Sequence, residues 1–183
     1  MGRGGPSAIL HGVLPGDVCQ PYIPPVIDDL YSAKILSLAA NMPRAGRLAA
    51  PQGSSEKVAR LCGSKIAVDL VLDQHGAVID FAQDVRACAL GQASAAILGA
   101  NIIGADVSEL IEARDALRAM LKDGGPSPVG RFSDLAVLQP VKDYPARHAS
   151  TLLAFEAAVD AAALACLTRD SRPSDRTPPA TAG

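Results

Sequence analysis

Cys62 and Cys88 are the residues of this chain whose type and spacing most favour chemistry. They flank two extended stretches, 65–72 and 77–85, which are joined by a turn-like sequence at 73–76. This pattern predicts an antiparallel hairpin, and pairing Leu72 with Ala77 would place Cys62 opposite Ala87, next to Cys88. We therefore expect the two thiols to lie at one end of the hairpin, within roughly 5–8 Å of each other.

Two neighbouring thiols have several uses. Cys88 begins a run of small and apolar residues that is typical of a helix, and a helix N-terminus favours the thiolate form of a cysteine. Thiolate is the form that binds soft metals or attacks sulfur. The residues alone leave open a metal or sulfur site, two inert core cysteines, or a disulfide. Four irregularly spaced cysteines without an export signal make a disulfide the least favoured, and they indicate a reducing, cytoplasmic location.

Four ordered motifs around these cysteines resemble those of the U-type iron–sulfur cluster assembly scaffolds, the family of NifU N-terminal domains, IscU and SufU. They are the loop at 41–46, the segment Cys62-Gly63-Ser64, the segment at 88–94 and the segment at 144–155. The resemblance spans about residues 30–163. It implies an α+β fold in which a small antiparallel β-sheet of about three strands packs against four to five helices.

The resemblance also implies a metal site, from which this chain departs at two positions. Family members hold zinc or a nascent cluster with three cysteines and an aspartate, whereas here the aspartate position is Ser64 and the third cysteine position is Ser150. Neutral hydroxyls are poor ligands for iron or zinc. Cys62 and Cys88 remain as ligands, with His148 as a further candidate. We expect a transient iron–sulfur cluster shared between two subunits, or an iron or zinc ion completed by His148 or water.

The implied function is iron–sulfur cluster assembly, in which the chain receives iron and sulfide and passes the cluster to acceptor apoproteins. The implied partners are a cysteine desulfurase, those acceptors and a second copy of the chain. Two alternatives stay open: an adapter that docks on a desulfurase to tune assembly, and a zinc-assisted sulfurtransferase. No catalytic residue is predicted, because the usual persulfide-accepting position is Ser150.

Residues beside the implied site are expected to form its loop or to contact a partner. They are Pro43, Arg44, Gly46 and Arg147. Arg44 and Arg47 could equally be solvated charges.

Composition indicates one domain with an aliphatic core. The chain has 183 residues, of which 49% are hydrophobic and only 3% aromatic, with no tryptophan. The formal charge of −2 gives no reason to expect nucleic acid or an anionic membrane as a partner. No apolar run approaches the length expected of a membrane-spanning helix. We expect the domain to cover 28–167, between a flexible extension at 1–27, which holds His11 and Cys19, and a disordered tail at 168–183.

The remaining elements follow from local patterns. Periodicity predicts helices over 28–41, 88–103 and 106–122, and a last helix that starts at His148 or Ser150. A loop is expected over 42–58, with a short edge strand near 47–50, and a short helical turn over 132–139. Met120 and Cys166 fall at core-facing positions, and His75 lies in the turn at the far end of the hairpin.

Overall fold

The computed structural model describes residues 31–170. Within this range the chain forms three strands, four α-helices and one segment of 3-10 turns, in an α+β arrangement that confirms the predicted fold class. In chain order these are α1 (Ala33–Ala40), β1 (Gly53–Ala59), β2 (Ser64–Leu72), β3 (Val78–Arg86), α2 (Ala89–Asn101), α3 (Val107–Lys122), the 3-10 segment (Gly130–Asp143) and α4 (Pro145–Asp170). The extension expected at 1–27 and most of the tail expected at 168–183 lie outside the described residues.

Helix α4 is the central element of the fold. The sheet has the antiparallel order β1-β2-β3, and α4 packs against β1 and β2 as well as against α2 and α3. Of the described helices, α4 alone is long and apolar enough to cross a membrane, so the expectation that no run reaches this length was wrong. However, 61% of its apolar stretch is buried inside the fold, as in the core helix of a soluble protein.

Strand β1 lies within the stretch that the sequence predicts to be a loop. The prediction of an edge strand near 47–50 was wrong, because pairing with β2 begins only at Gly53. The side of β1 that faces α4 carries small or polar residues, including Lys57, which forms an ion pair with Asp160 of α4. The sequence of β1 therefore lacks the alternation of apolar and polar residues that predicts a strand. These inward positions are Gly53, Ser55, Lys57 and Ala59.

The β2–β3 hairpin exists, but its register differs from the predicted one by two residues. Leu70 lies opposite Phe81 rather than Ile79, and an irregularity between Val71 and Leu72 separates this register from the turn. The carboxylate of Asp73 accepts hydrogen bonds from the backbone N–H groups of His75 and Ala77 and closes the turn. The turn covers residues 73–77, one residue more than the predicted 73–76. A register shift of two residues keeps each side chain on the same face of the sheet. Ile79 is nonetheless 56% exposed.

Helix boundaries are set by capping residues. Helix α3 begins at a capping box formed by Asp106 and Glu109, as predicted, and its apolar stripe, which includes Met120, is buried. Helix α1 begins at Ala33 after the N-cap Ser32, later than the predicted residue 28. Helix α4 begins at Pro145, earlier than predicted, because proline is favoured in the first turn, where its missing N–H costs nothing.

A buried carboxylate fixes the loop before β1. The side chain of Asp69 on β2 is 1% exposed and accepts hydrogen bonds from the guanidinium group of Arg47, the hydroxyl of Ser54 and the backbone N–H of Leu48. The Arg47 guanidinium is the largest influence that holds the pKa of Asp69 below its ordinary value. Arg47 is therefore a structural residue and not the free solvated charge that the sequence left open.

Removing Arg47 should destabilise the fold in a pH-dependent way. The variant Arg47→Ala leaves the buried Asp69 carboxylate with two donors, so we expect a loss of about 2 kcal/mol in the free energy of unfolding at pH 7. Because the folded-state pKa of Asp69 is depressed, this contribution is present above the unfolded pKa of about 3.9 and is lost as the pH falls through the folded value. Urea unfolding at pH 7 and at pH 3 measures both effects. An equal difference between variant and wild type at the two pH values would contradict this account.

Candidate metal centre

Three segments bring two cysteines and two serines together at one end of the hairpin. Cys62 lies in the turn between β1 and β2, and its Sγ is 3.1 Å from the Oγ of Ser64, the first residue of β2. Cys88 is the N-cap residue of α2, and its Sγ is 3.4 Å from the Oγ of Ser150 in the second turn of α4. The Ser150 hydroxyl also interacts with the Cys62 sulfur, so it is a neighbour of both thiols.

The environment of Cys62 favours its thiolate. The Ser64 hydroxyl, which can donate a hydrogen bond to the sulfur, is the main cause that lowers the pKa of Cys62, and the Ser150 hydroxyl and the positive charge of Arg147 act in the same direction. Both Cys62 and Cys88 are partly exposed. Cys88 makes no side-chain bond to the backbone of α2, which leaves its thiol directed to Ser150.

The role of Ser64 can be measured through thiol reactivity. Because alkylation consumes the thiolate, Ser64→Ala should raise the pKa of Cys62 and slow its reaction with iodoacetamide at pH 7 by about threefold, the loss expected for one hydrogen bond. Peptide-resolved mass spectrometry gives the alkylation rate of Cys62 over a range of pH, and the midpoint of that curve is the pH at which half of the thiol is ionised. The exposed Ser37→Ala serves as the matched control and should leave the midpoint unchanged. An identical midpoint in Ser64→Ala and wild type would show that the hydroxyl does not act on the thiol.

His148 is not brought to the cysteines. Its ring is buried, and Nε2 lies 3.1 Å from the backbone oxygen of Val141 and 3.2 Å from that of Lys142. The ring borders a groove on another face of α4, together with Lys122 and Glu156. Two residues along a helix correspond to a rotation of about 200°, so His148 and Ser150 point to nearly opposite sides.

The donor set at this centre is therefore two thiols and two neutral hydroxyls. Within residues 31–170, no three histidine, cysteine, aspartate or glutamate side chains are placed so that they could hold a metal ion together. Thiolates suit iron, zinc and iron–sulfur clusters, whereas serine hydroxyls are weak ligands for them. Such a centre fits cargo held by two sulfurs, and it does not fit a closed four-ligand zinc site.

Comparison with known proteins decides the family. A sequence model of the NifU-like N-terminal domain matches residues 30–151. This chain belongs to the NifU-like N-terminal domain family, and thus to the iron–sulfur cluster assembly scaffold family that includes IscU and SufU.

Three relatives show how far the likeness extends. The crystal structure of the N-terminal part of a nitrogen-fixing NifU-like protein from Brucella abortus is 47% identical, with a TM-score of 0.75 over 80% of this chain and 99% of that one. The iron–sulfur cluster assembly scaffold protein IscU of Thermotoga maritima is 28% identical over 144 residues, 79% of this chain and 96% of its own. A putative SUF-system scaffold from Fervidobacterium islandicum AW-1 is 21% identical and shares the fold, with a TM-score of 0.68 over 74% of this chain and 98% of that one.

A buried glutamine, which the sequence did not single out, fixes the loop at 41–46 of this NifU-like domain. The backbone of Gln83 on β3 exchanges hydrogen bonds with Arg44 and Gly46, and its side-chain Nε2 donates to the backbone oxygens of Pro43 and Ala95. Arg44 is held with a φ of 57°, and its side chain is exposed. The available signal was a polar residue at an inward position of β3.

Small residues let α2 approach the centre closely. A Cβ atom at Gly91 would lie 2.9 Å from the backbone oxygen of Ser150 and 2.8 Å from the Cβ of Ala87. Helix α2 therefore packs closely against α4 at this point. The position of Ser150 beside Cys88 depends on this contact between α2 and α4.

The third described cysteine lies elsewhere. Cys166 is partly buried near the C-terminal end of α4, where it shares a surface depression with His75 and Asp106. His75 belongs to the β2–β3 turn, at the opposite end of the hairpin from Cys62. The cysteine pair and Cys166 are thus separate, and Cys166 offers a matched control for experiments on the pair.

Proposed function

We propose that this NifU-like domain takes part in iron–sulfur cluster assembly by holding iron or a nascent cluster through Cys62 and Cys88 and passing it to acceptor proteins. The observation that carries the proposal is that Cys62 and Cys88 lie at the same end of the hairpin, Cys62 with its sulfur 3.1 Å from the hydroxyl of Ser64 and Cys88 with its sulfur 3.4 Å from that of Ser150. The curated relative from Thermotoga maritima carries the name of an assembly scaffold, which agrees with this role.

The chemistry of the pair suits temporary storage. Two thiolates bind iron, and the N-termini of α2 and α4 together with Arg147 offset part of the negative charge of a thiolate-bound cluster. The Ser64 hydroxyl can donate a hydrogen bond to the Cys62 sulfur, whereas the Ser150 hydroxyl accepts one from the Cys88 thiol and donates to the backbone oxygen of Arg147; neither serine adds a strong ligand. With two protein ligands in place of four, the cargo is held weakly and is released readily.

A second candidate function is that of an adapter, which binds a cysteine desulfurase without carrying cargo. Two observations favour it: the hydroxyls at the two remaining ligand positions, and the apolar side chain of Leu61, which is 87% exposed directly before Cys62. Leu61 offers a contact for a protein partner at the rim of the centre. In either role a cytoplasmic desulfurase is the proposed partner.

Anaerobic reconstitution separates the two functions. Wild-type protein is incubated with iron and sulfide, desalted, and assayed for bound iron, bound sulfide and visible absorbance. We expect Cys62→Ala and Cys88→Ala each to lose most of the bound iron, while the matched control Cys166→Ala retains it. Equal iron in all four proteins would overturn the cargo role. No iron in any of them, together with a measurable complex with a desulfurase, would support the adapter.

A further inference from the structure

A groove on the face of α4 that points away from the cysteines has the features of a small-molecule site. It has a volume of about 510 Å³ and lies between the C-terminal end of α3 and the first half of α4. Half of its lining residues are apolar, and a concave site of this size with a few polar groups is typical of ligand binding. The lining residues are Lys122, Pro145, His148, Ala149, Leu152 and Glu156.

His148 presents one unpartnered ring nitrogen to this groove. The residue is only 8% exposed, and its Nε2 lies within hydrogen-bond distance of two backbone oxygens. Because both oxygens can only accept, Nε2 carries the proton, and Nδ1 of the neutral ring is an acceptor. No residue within 31–170 bonds to Nδ1. In the same range, the fully buried side-chain atoms without a partner are Gln83 Oε1 and Ser94 Oγ, so Nδ1 remains accessible through the groove.

The packing of α3 against α4 brings Lys122 to the same part of the groove. Arg118 of α3 pairs with Glu156 of α4 at 2.9 Å, and the two helices run in opposite directions. One turn further along α3, Lys122 is therefore level with Leu152, which precedes Glu156 by one turn of α4. His148 lies one more turn away, an offset of about 6 Å. The flexible four-carbon stem of a lysine can span this offset.

These groups define the chemistry of a ligand. Nδ1 of His148 needs a hydrogen-bond donor, and the exposed Lys122, which forms no ion pair in the described part of the chain, needs an anion. Ala149 and Leu152 between and beside them offer an apolar floor. A phosphate monoester meets these needs poorly, because its second pKa of about 6 leaves it without a hydroxyl proton at neutral pH. A carboxylate next to an alcohol keeps both the charge and the proton.

The carboxylate of Glu156 does not oppose such a ligand. It lies two turns of α4 from His148, about 12 Å along the helix. Its charge is offset by Arg118 at 2.9 Å. The end of the groove at His148 and Lys122 is therefore open to an anion.

We propose that this groove binds small hydroxy carboxylates with an apolar side chain, of the chemical class of 3-phenyllactate. The hydroxyl donates to Nδ1 of His148, the carboxylate pairs with Lys122, and the hydrocarbon part lies on Leu152. His148 and Ser150 point to nearly opposite sides of α4, so this site is separate from the cysteine centre. The inference therefore goes beyond the proposed function and does not depend on it.

NMR titration of the ¹⁵N-labelled full-length protein at pH 8, where an imidazole is neutral, tests the inference. We expect 3-phenyllactate to bind with millimolar affinity, as is usual for a ligand of about twelve non-hydrogen atoms. It should shift the resonances of Lys122 and His148 while Nδ1 stays unprotonated. The matched ligand 3-phenylpropionate lacks only the hydroxyl, and it should bind about tenfold more weakly because Nδ1 then stays unpaired.

Variants identify the partner of the carboxylate. Lys122→Gln should weaken the binding of 3-phenyllactate by about threefold, the loss expected for an exposed ion pair. The matched control Lys34→Gln removes an exposed charge from α1 and should leave the affinity unchanged, as should Cys62→Ala. The pair of ligands tests His148 without a substitution of this buried residue.

The contrary outcomes are distinct. Equal affinity for the two ligands would overturn the role of His148, and equal affinity in Lys122→Gln and wild type would overturn that of Lys122. No saturable shift at the groove, or inorganic phosphate bound as tightly as 3-phenyllactate, would overturn the inference as a whole. Each of these results would leave the proposed function of Cys62 and Cys88 intact, because iron binding is measured separately.

Discussion

Replacing Ser64 by aspartate and Ser150 by cysteine should tighten zinc binding by about three orders of magnitude. The double variant adds a carboxylate and a thiolate to Cys62 and Cys88, which completes the four-ligand set that zinc prefers. The positions are suitable because the two serine oxygens already lie 3.1 and 3.4 Å from the cysteine sulfurs. Competition with a chromogenic chelator gives the dissociation constants of wild type and variant.

The single substitutions are the controls for this prediction. Ser64→Asp and Ser150→Cys each supply three ligands, so each should give an intermediate affinity, and Ser64→Asp should lose its gain when Cys88 is changed to alanine. A double variant that binds zinc no more tightly than wild type would show that these four side chains do not converge on one ion.

Replacing Gly53 by alanine should destabilise the fold by about 3 kcal/mol or more. The added Cβ would overlap the backbone oxygen of Ala161 and lie 2.8 Å from the backbone nitrogen of Ala165. Both contacts are with the backbone of α4, which cannot move aside as a side chain can, so β1 and α4 must separate. Urea unfolding measures the loss in the free energy of unfolding.

The same experiment has a control on the same strand. Val58→Ala shortens a side chain that is 53% exposed, so it should change the free energy of unfolding by no more than about 0.5 kcal/mol. If Gly53→Ala were as stable as Val58→Ala, β1 would not pack against α4 as closely as described. Because α4 carries Ser150, Gly53→Ala should also weaken iron binding at the cysteines.

Sequence reasoning placed Cys62 and Cys88 at the same end of the hairpin because the signals for the hairpin are local. The turn at 73–76 and the two extended stretches predict a hairpin, and the hairpin carries Cys62 and Cys88 to the same end. The register was wrong by two residues, since the Asp73 turn and the irregularity at Val71 and Leu72 cannot be read from apolar alternation. An even shift keeps each residue on its face, so the error did not separate the cysteines.

The elements that the sequence missed depend on tertiary contacts. Strand β1 has glycine and lysine on its inward face because α4 is close, and a pattern of that kind is typical of a loop. The polar side chain of Gln83 can occupy an inward position because the loop at 41–46 lies against β3 and accepts its hydrogen bond. The direction of His148 depends on where α4 begins, and Pro145 places it on a different side from Ser150.

The most direct test of the central claim is a residue-by-residue measurement of which thiols the cargo covers. Protein with and without reconstituted iron and sulfide is alkylated anaerobically, and the labelled cysteines are located by peptide mass spectrometry. We predict that Cys62 and Cys88 are labelled in the cargo-free protein and protected in the loaded one, while Cys166 is labelled to the same extent in both. Equal labelling of Cys62 and Cys88 in loaded and cargo-free protein would contradict their role as the ligands.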